Sequence, residues 1–194
     1  MVIMPQIEKR RALRALSESS IPHEILVRLS EAAHMAPSCA NNQPWRLVIA
    51  SGPDALFRVK ESLTSGNYWA KKAAAIAAFV TRPDWDAKLD HGRDYAFFDL
   101  GMAAMNFQLQ AIEEGLIAHP VAGFDPAAAK AALGIPPEAV VMTLVILGYP
   151  GDASHLNEKH AALEGAARSR KPLEEVLAFD SWDARLEPKP KSGL

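Results

Sequence analysis

Ala36-Pro37-Ser38-Cys39-Ala40-Asn41-Asn42-Gln43-Pro44-Trp45 is a run of small polar residues fenced by two prolines. It follows an amphipathic pattern in which Ile25, Leu26, Leu29, Ala32, Ala33 and Ala36 form one apolar stripe at helical spacing. It leads straight into Leu47–Ala50, an apolar run that reads as a short buried strand and is stopped by Ser51, Gly52 and Pro53. Side chains and backbone N–H groups of this kind make a poor hydrophobic core and a good cradle for a polar ligand. An ordinary helix-to-strand connection has the same composition. Two basic clusters, one before the loop and one near the C-terminus, weigh toward the ligand.

The totals bound what that ligand can be. A chain of 194 residues with 49% hydrophobic content suits one compact domain. A formal net charge of −2 gives no global field for nucleic acid or an anionic membrane, so anion binding has to come from local clusters. Cys39 is the only cysteine, which excludes an intrachain disulfide and a cysteine-only zinc site. Met1–Pro5 is too short an apolar run before Glu8, Lys9, Arg10 and Arg11 to read as a signal peptide. The longest apolar stretch, Ala73–Val80, is too short to span a bilayer. A cytoplasmic setting, with no membrane or nucleic-acid partner, is the expectation.

Working outward, Ile7–Arg14 begins as a helical turn and carries Arg10, Arg11 and Arg14, whose fixed forks of donors suit phosphate. The same three arginines would also suit a solvated basic helix face. Pro22 fits the first turn of the helix that delivers the opening loop, with Glu24 near its favourable end. A second helix is expected from about Asp54 to near Gly66, with Leu56, Val59 and Leu63 on one face. Asn67, Tyr68 and Trp69 then fall in a loop before the alanine-rich strand to Val80. The polar stretch from Arg82 to Asp94 reads as a lid or surface excursion.

Tyr95–Glu114 is the longest helical pattern, stopped by Gly115. Phe97, Leu100, Ala104, Phe107 and Ile112 are apolar, and so are Phe98, Met102, Met105 and Leu109 on other faces. A helix apolar nearly all round belongs in a core or against a second subunit. His119–Phe124 reads as a loop, Asp125-Pro126 as the cap and first turn of a helix to Leu133, and Val140–Leu147 as a central strand covered on both faces. From Tyr149 onward hydrophobic residues thin out, so the tail either wanders over the surface or wraps a partner. Lys189–Lys191 reads as a frayed end. The uneven alternation of helix and strand gives an α+β fold, a central sheet flanked by helices.

Four of these stretches resemble, in order, the motifs of FMN-dependent nitroreductases. They are Arg10-Arg11-Ala12-Leu13-Arg14, Pro37–Trp45, Pro120-Val121-Ala122-Gly123-Phe124 and Arg168-Ser169-Arg170-Lys171-Pro172-Leu173. Each is weak alone; together they cover residues 9 to about 177. The resemblance implies a nitroreductase-like fold with a mostly antiparallel central sheet, one domain over 1–194, and an intertwined homodimer in which roughly 149–194 is an arm crossing to the partner. It implies FMN as cofactor, NAD(P)H as reductant, and a nitroaromatic, quinone or similar flat electrophile as acceptor, in a ping-pong cycle.

By the same resemblance, Arg10, Arg11, Arg168 and Arg170 would compensate the FMN phosphate, and Arg14 would sit near the pyrimidine edge of the ring. Asn67 would pair with the ring's polar edge. Ala122, with Pro120, Val121 and Gly123, would bring a backbone N–H to the flavin nitrogen that receives hydride. Pro37, Ser38, Cys39 and Asn41 would reach the partner's cofactor. No side chain is needed as a nucleophile and no metal site is implied. Ala12 departs from the family, whose members commonly carry serine there, and Lys71 or Lys72 stands where some carry a basic residue after the asparagine.

Two other readings use the same residues. One is a thiol enzyme with Cys39 as nucleophile and His34 or His119 as base. The other is a flavin-binding dimer without turnover. His91 with Asp90 and Asp94 reads as a solvated loop rather than a metal site. Trp45 and Trp69 read as packing residues at loop ends, with Trp69 placed to border a pocket beside Asn67.

Overall fold

The computed structural model describes residues 3–188, so Lys189–Lys191 lie outside the described residues. The chain divides into two units, Met1–Glu164 and Gly165–Leu194. In chain order the first contains α1 (Pro5–Lys9), α2 (His23–His34), β1 (Arg46–Ala50), α3 (Pro53–Lys60) and β2 (Ala75–Thr81). There follow β3 (Lys88–Leu89), β4 (Arg93–Asp94), α4 (Tyr95–Glu113), β5 (Ile117–Val121), α5 (Pro126–Leu133), β6 (Val140–Gly148) and α6 (Glu158–Gly165).

The main sheet has the order β1-β2-β6-β5, with every neighbouring pair antiparallel. Its two central strands are apolar on both faces because both faces are covered. On β2, Ala75, Ala77 and Phe79 point into a layer built with α2 and α4, while Ile76, Ala78 and Val80 point into a layer with Trp69, Phe124 and Ala129. The pairing slips by one residue between Phe79 and Val80: Phe79 faces Thr143 and Val80 faces Val141. Met142 is thereby left over as a bulge, and it is 53% exposed.

The α+β architecture and the central placement of Val140–Leu147 are as the sequence implies. Asp125 caps α5 by accepting from the N–H groups of Ala127 (2.8 Å) and Ala128 (3.1 Å). Gly115, at φ 72°, ends α4 in the left-handed conformation that suits glycine.

Other boundaries move. His119–Val121 is not loop but the second half of β5. Pro120 is tolerated there because β5 is an edge strand, where the missing N–H leaves no ladder bond unmade. The helix expected to run to Gly66 stops at Lys60. Beyond it Leu63 bridges to Phe124, the Ser62 carbonyl accepts from Asp125 N–H at 2.7 Å, and Thr64 N–H donates to Gly123 at 3.0 Å. Tertiary bonds take over from the helical ladder. Asn67–Trp69 lies in 3₁₀ turns over Ser65–Lys72.

Arg10–Arg14 is not helical either. The chain leaves α1 at Arg10 in an extended conformation and reaches Leu16, which bridges to Pro150. Pro22 occupies the cap of α2 rather than its first turn. The 82–94 excursion contains the small β3–β4 hairpin, turned by left-handed His91 and Gly92.

The second unit is irregular, with 3₁₀ turns at Leu173–Glu175 and Ala184–Leu186. Asp183 caps the latter, accepting from Arg185 N–H at 2.8 Å and pairing with its guanidinium at 3.0 Å. Leu173, Val176, Phe179 and Trp182 are all more than half exposed.

Candidate functional site

The extended stretch Leu13–Ala15 is fixed from three directions. The Leu13 carbonyl accepts from His119 Nδ1 at 3.0 Å, which assigns the proton to Nδ1. Arg14 N–H donates to Glu164 Oε1 at 2.9 Å and Ala15 N–H to Oε2 of the same carboxylate at 3.1 Å. The Arg14 guanidinium lies over the Trp69 ring, 5.9 Å from its centre, and that ring packs 4.7 Å from the His119 ring.

His119 reaches this place because alternation along β5 puts Ile117, His119 and Val121 on one face of the sheet. It is 8% exposed, and its pKa is lowered to about 4. Burial is the main cause; the Leu13 bond opposes it, and the charges of Arg14, His160 and Arg10 add to it. Arg14 and Arg10 therefore lie within electrostatic reach of one imidazole. Arg11 Nη2 donates to the Leu163 carbonyl at 3.3 Å, and Ala12 is exposed.

Asn67 joins the segment after β5. Its Nδ2 donates to the Gly123 carbonyl at 2.8 Å, and Thr64 adds its hydroxyl and its N–H to the same oxygen, each at 3.0 Å. A Cβ at position 123 would stand 2.7 Å from both Asn67 Nδ2 and Thr64 Oγ1, so only glycine permits the approach. Pro120 and Val121 end β5, and Ala122 is exposed just beyond it. Tyr68 carries the contact further: its hydroxyl accepts from Asn157 N–H at 2.8 Å and pairs with His160 Nδ1 at 3.1 Å.

The opening loop sits elsewhere. Ala36 and Trp45, at its ends, belong to the α2/α4 layer on the opposite face of the sheet from Trp69 and Val121. Ala40, Asn41 and Gln43 all have positive φ, which turns the backbone tightly. Ser38 Oγ accepts from Gln43 N–H at 3.0 Å, and the buried Thr81 hydroxyl donates to the Pro44 carbonyl at 2.8 Å. Cys39 N–H donates to Asp99 Oδ2 at 2.7 Å, and Asn42 Nδ2 donates to Asp86 Oδ1 at 3.0 Å. Pro37 and Asn41 are exposed.

Asp99 Oδ1 and Asp86 Oδ2 are both buried without a hydrogen-bond partner among the described residues. Burial raises the Asp99 pKa above the ordinary carboxylate value, Cys39 N–H opposes the shift and Asp86 adds to it. Asp99 was missed in the sequence. Its signal is a lone carboxylate between Phe98 and Leu100 in an apolar helical pattern. Glu164 carried no comparable signal, since its partners are backbone groups about 150 positions away.

The Cys39 thiol is not joined to either proposed base. His119 is committed to Leu13 and Trp69 on the other face of the sheet, and His34 packs edge-on against Trp45 at 6.5 Å. Among the described residues no group of three or more His, Cys, Asp or Glu could hold a metal, and no helix is long and apolar enough to cross a membrane. Arg168 and Arg170 are exposed in the second unit, where Arg170 Nη1 donates to the Ser169 carbonyl at 2.6 Å.

Known proteins resemble this chain over most of its length. A protein of Thermus thermophilus named NADH dehydrogenase is 28% identical, covering 88% of this chain and 92% of its own. An Archaeoglobus fulgidus protein, whose name pairs NADH dehydrogenase with NAD(P)H nitroreductase, is 31% identical over 80% of this chain and 89% of its own. A solved oxidoreductase containing FMN superposes with a TM-score of 0.82 at 30% identity, covering 94% of each chain. The model of the nitroreductase family matches residues 7–149, and the chain belongs to that family.

Proposed function

We propose that this protein is an FMN-dependent oxidoreductase that passes hydride from NAD(P)H to a nitroaromatic, quinone or similar flat electrophile, as a homodimer working by a ping-pong cycle. The observation that carries this is the convergence of three distant segments, Arg10–Ala15, Asn67–Trp69 and His119–Gly123, on one face of the sheet. Family membership supports it, as do the names of the relatives and the FMN in the 30%-identical structure.

The donor set fits the cofactor. Arg10 and Arg11, with Arg168 and Arg170, offer guanidinium forks to a phosphate that carries close to two charges. Arg14 holds a fixed cation for the pyrimidine edge, and Asn67 an amide already aligned by Gly123. FMN, when bound, supplies hydride exchange with both the reductant and the acceptor. The chain supplies position. The Ala122 N–H, at the end of a strand whose next residue, Gly123, accepts three hydrogen bonds, would reach the flavin nitrogen that takes hydride. Pro37, Ser38, Cys39 and Asn41, held on the other face of the sheet, serve the partner's cofactor, and the segment after Tyr149 serves as the arm. No side chain acts as a nucleophile.

Anaerobic titration of the purified protein with NADH and with NADPH, followed by a panel of acceptors, is the test. A yellow protein bleached by a nicotinamide and recoloured by a flat electrophile is expected. Yellow colour that no nicotinamide bleaches leaves a flavin-binding dimer, and a colourless protein that does not take up added FMN overturns the proposal.

A further inference from the structure

Leu13, Arg14 and Ala15 belong to no helix, and the first ladder contact comes only at Leu16. What fixes them is a set of side chains from distant segments. Glu164 spends both carboxylate oxygens on consecutive backbone N–H groups, at 2.9 and 3.1 Å, and His119 holds the carbonyl before them at 3.0 Å. Gly151 N–H closes the carbonyl of Ala15, two residues on, at 2.8 Å. Hydrogen bonds to a carboxylate are among the strongest available to an amide, and two in register fix the orientation of the peptide planes.

Glu164 does not stand alone on its helix. His160, one turn earlier on α6, shares its face and bonds Tyr68, the residue after Asn67. One short helix thus grips both segments proposed to meet the isoalloxazine edge. The Arg14 side chain starts from that fixed backbone, and its guanidinium reaches the face of the Trp69 ring, 5.9 Å from its centre.

We propose that Glu164 is a positioning residue for the flavin: it sets the Arg14 backbone so that the guanidinium meets the pyrimidine edge, with His119 as the second clamp. This rests on the assignment of Arg14 made above. Its effect is on cofactor affinity and potential, both readable without turnover.

The experiment is a double-mutant cycle on Arg14→Ala and Glu164→Ala. FMN affinity is measured by fluorescence quenching, the midpoint potential by dye equilibration, and the fold of each apo-protein by circular dichroism. Glu164→Ala is expected to weaken FMN binding about tenfold and to cut the preference for the reduced over the oxidised cofactor by a similar factor, about 30 mV for a two-electron couple. In the Arg14→Ala background the same change is expected to add nothing, because its target is gone. Glu164→Gln keeps one acceptor oxygen and should fall between; it carries the test if the alanine variant does not fold. An equal effect of Glu164→Ala in both backgrounds, or none in the wild-type background, overturns the inference while leaving Arg14 in place. An Arg14→Ala variant with unchanged affinity and potential overturns the Arg14 assignment and the inference with it.

Discussion

His119 and Asp99 are buried groups whose proton affinities move in opposite senses, and together they set how stability depends on pH. The imidazole titrates near 4 when folded and near 6.5 when not, so the unfolded chain binds more protons between those values. Its contribution is complete above pH 6.5 and is lost as pH falls through that window. Between pH 7 and pH 5 the loss is about 2 kcal/mol, readable as a fall in the urea midpoint. His119→Gln keeps a donor for Leu13 and should flatten that limb of the profile; an unchanged acid limb would show the imidazole is not its cause. Asp99 acts on the other side. Its folded pKa is raised, so its contribution is complete below the unfolded value and is lost as pH rises through the folded one. Asp99→Asn offers an oxygen to Cys39 N–H and an amide to the unpartnered Asp86 Oδ2. It should raise stability at pH 8 by about 1–2 kcal/mol, with the gain shrinking as pH falls, in parallel urea titrations. A loss at every pH would mean that the amide does not replace what the Asp99 carboxyl group supplies there.

Elements were legible where their cause is local and shifted where it is not. Asp125-Pro126 announces α5 in two residues, and the structure shows the carboxylate capping it. Asp125→Ala should therefore cost about 1 kcal/mol in urea denaturation, while Asp125→Ser or Asn, which keep a capping oxygen, should cost much less. Gly115 and the apolar length of Tyr95–Glu113 made α4 equally plain. The end of α3 was not, because nothing in Leu63-Thr64 reveals that Gly123 and Phe124 will bond them. His119–Val121 was hidden for a related reason. Proline inside a strand pattern argues for a loop unless the strand is at an edge, and edge position is a property of the finished sheet. The site divides along the same line. Arg14, Asn67 and Gly123 are visible as residue types at motif spacing, whereas Glu164 and Asp99 act on backbone groups far along the chain.

At the scale of the molecule, the proposed cofactor contacts of a single chain stand on opposite faces of one sheet. Arg14, Asn67 and Gly123 belong to the Trp69 layer, and the Ser38–Gln43 loop is anchored to α4. A flavin held by both groups needs a second copy. We propose α4 as the seam: Phe98 is 58% and Met105 43% exposed on a helix largely buried elsewhere, and Phe98 adjoins the Asp99 that holds Cys39. In the second unit Phe179 and Trp182 are 80% and 68% exposed, the kind of surface a crossing arm would bury against its partner. A charge placed on the seam should separate the copies without disturbing either core. Phe98→Glu, at an exposed position, is expected to turn a dimer into a monomer in sedimentation velocity and to leave the far-ultraviolet circular dichroism unchanged. If the flavin is shared, the same variant loses FMN in proportion to dissociation, and raising the protein concentration restores both together. A monomer that keeps FMN at wild-type affinity would place the whole cofactor site within one chain and remove the Ser38–Gln43 loop from it.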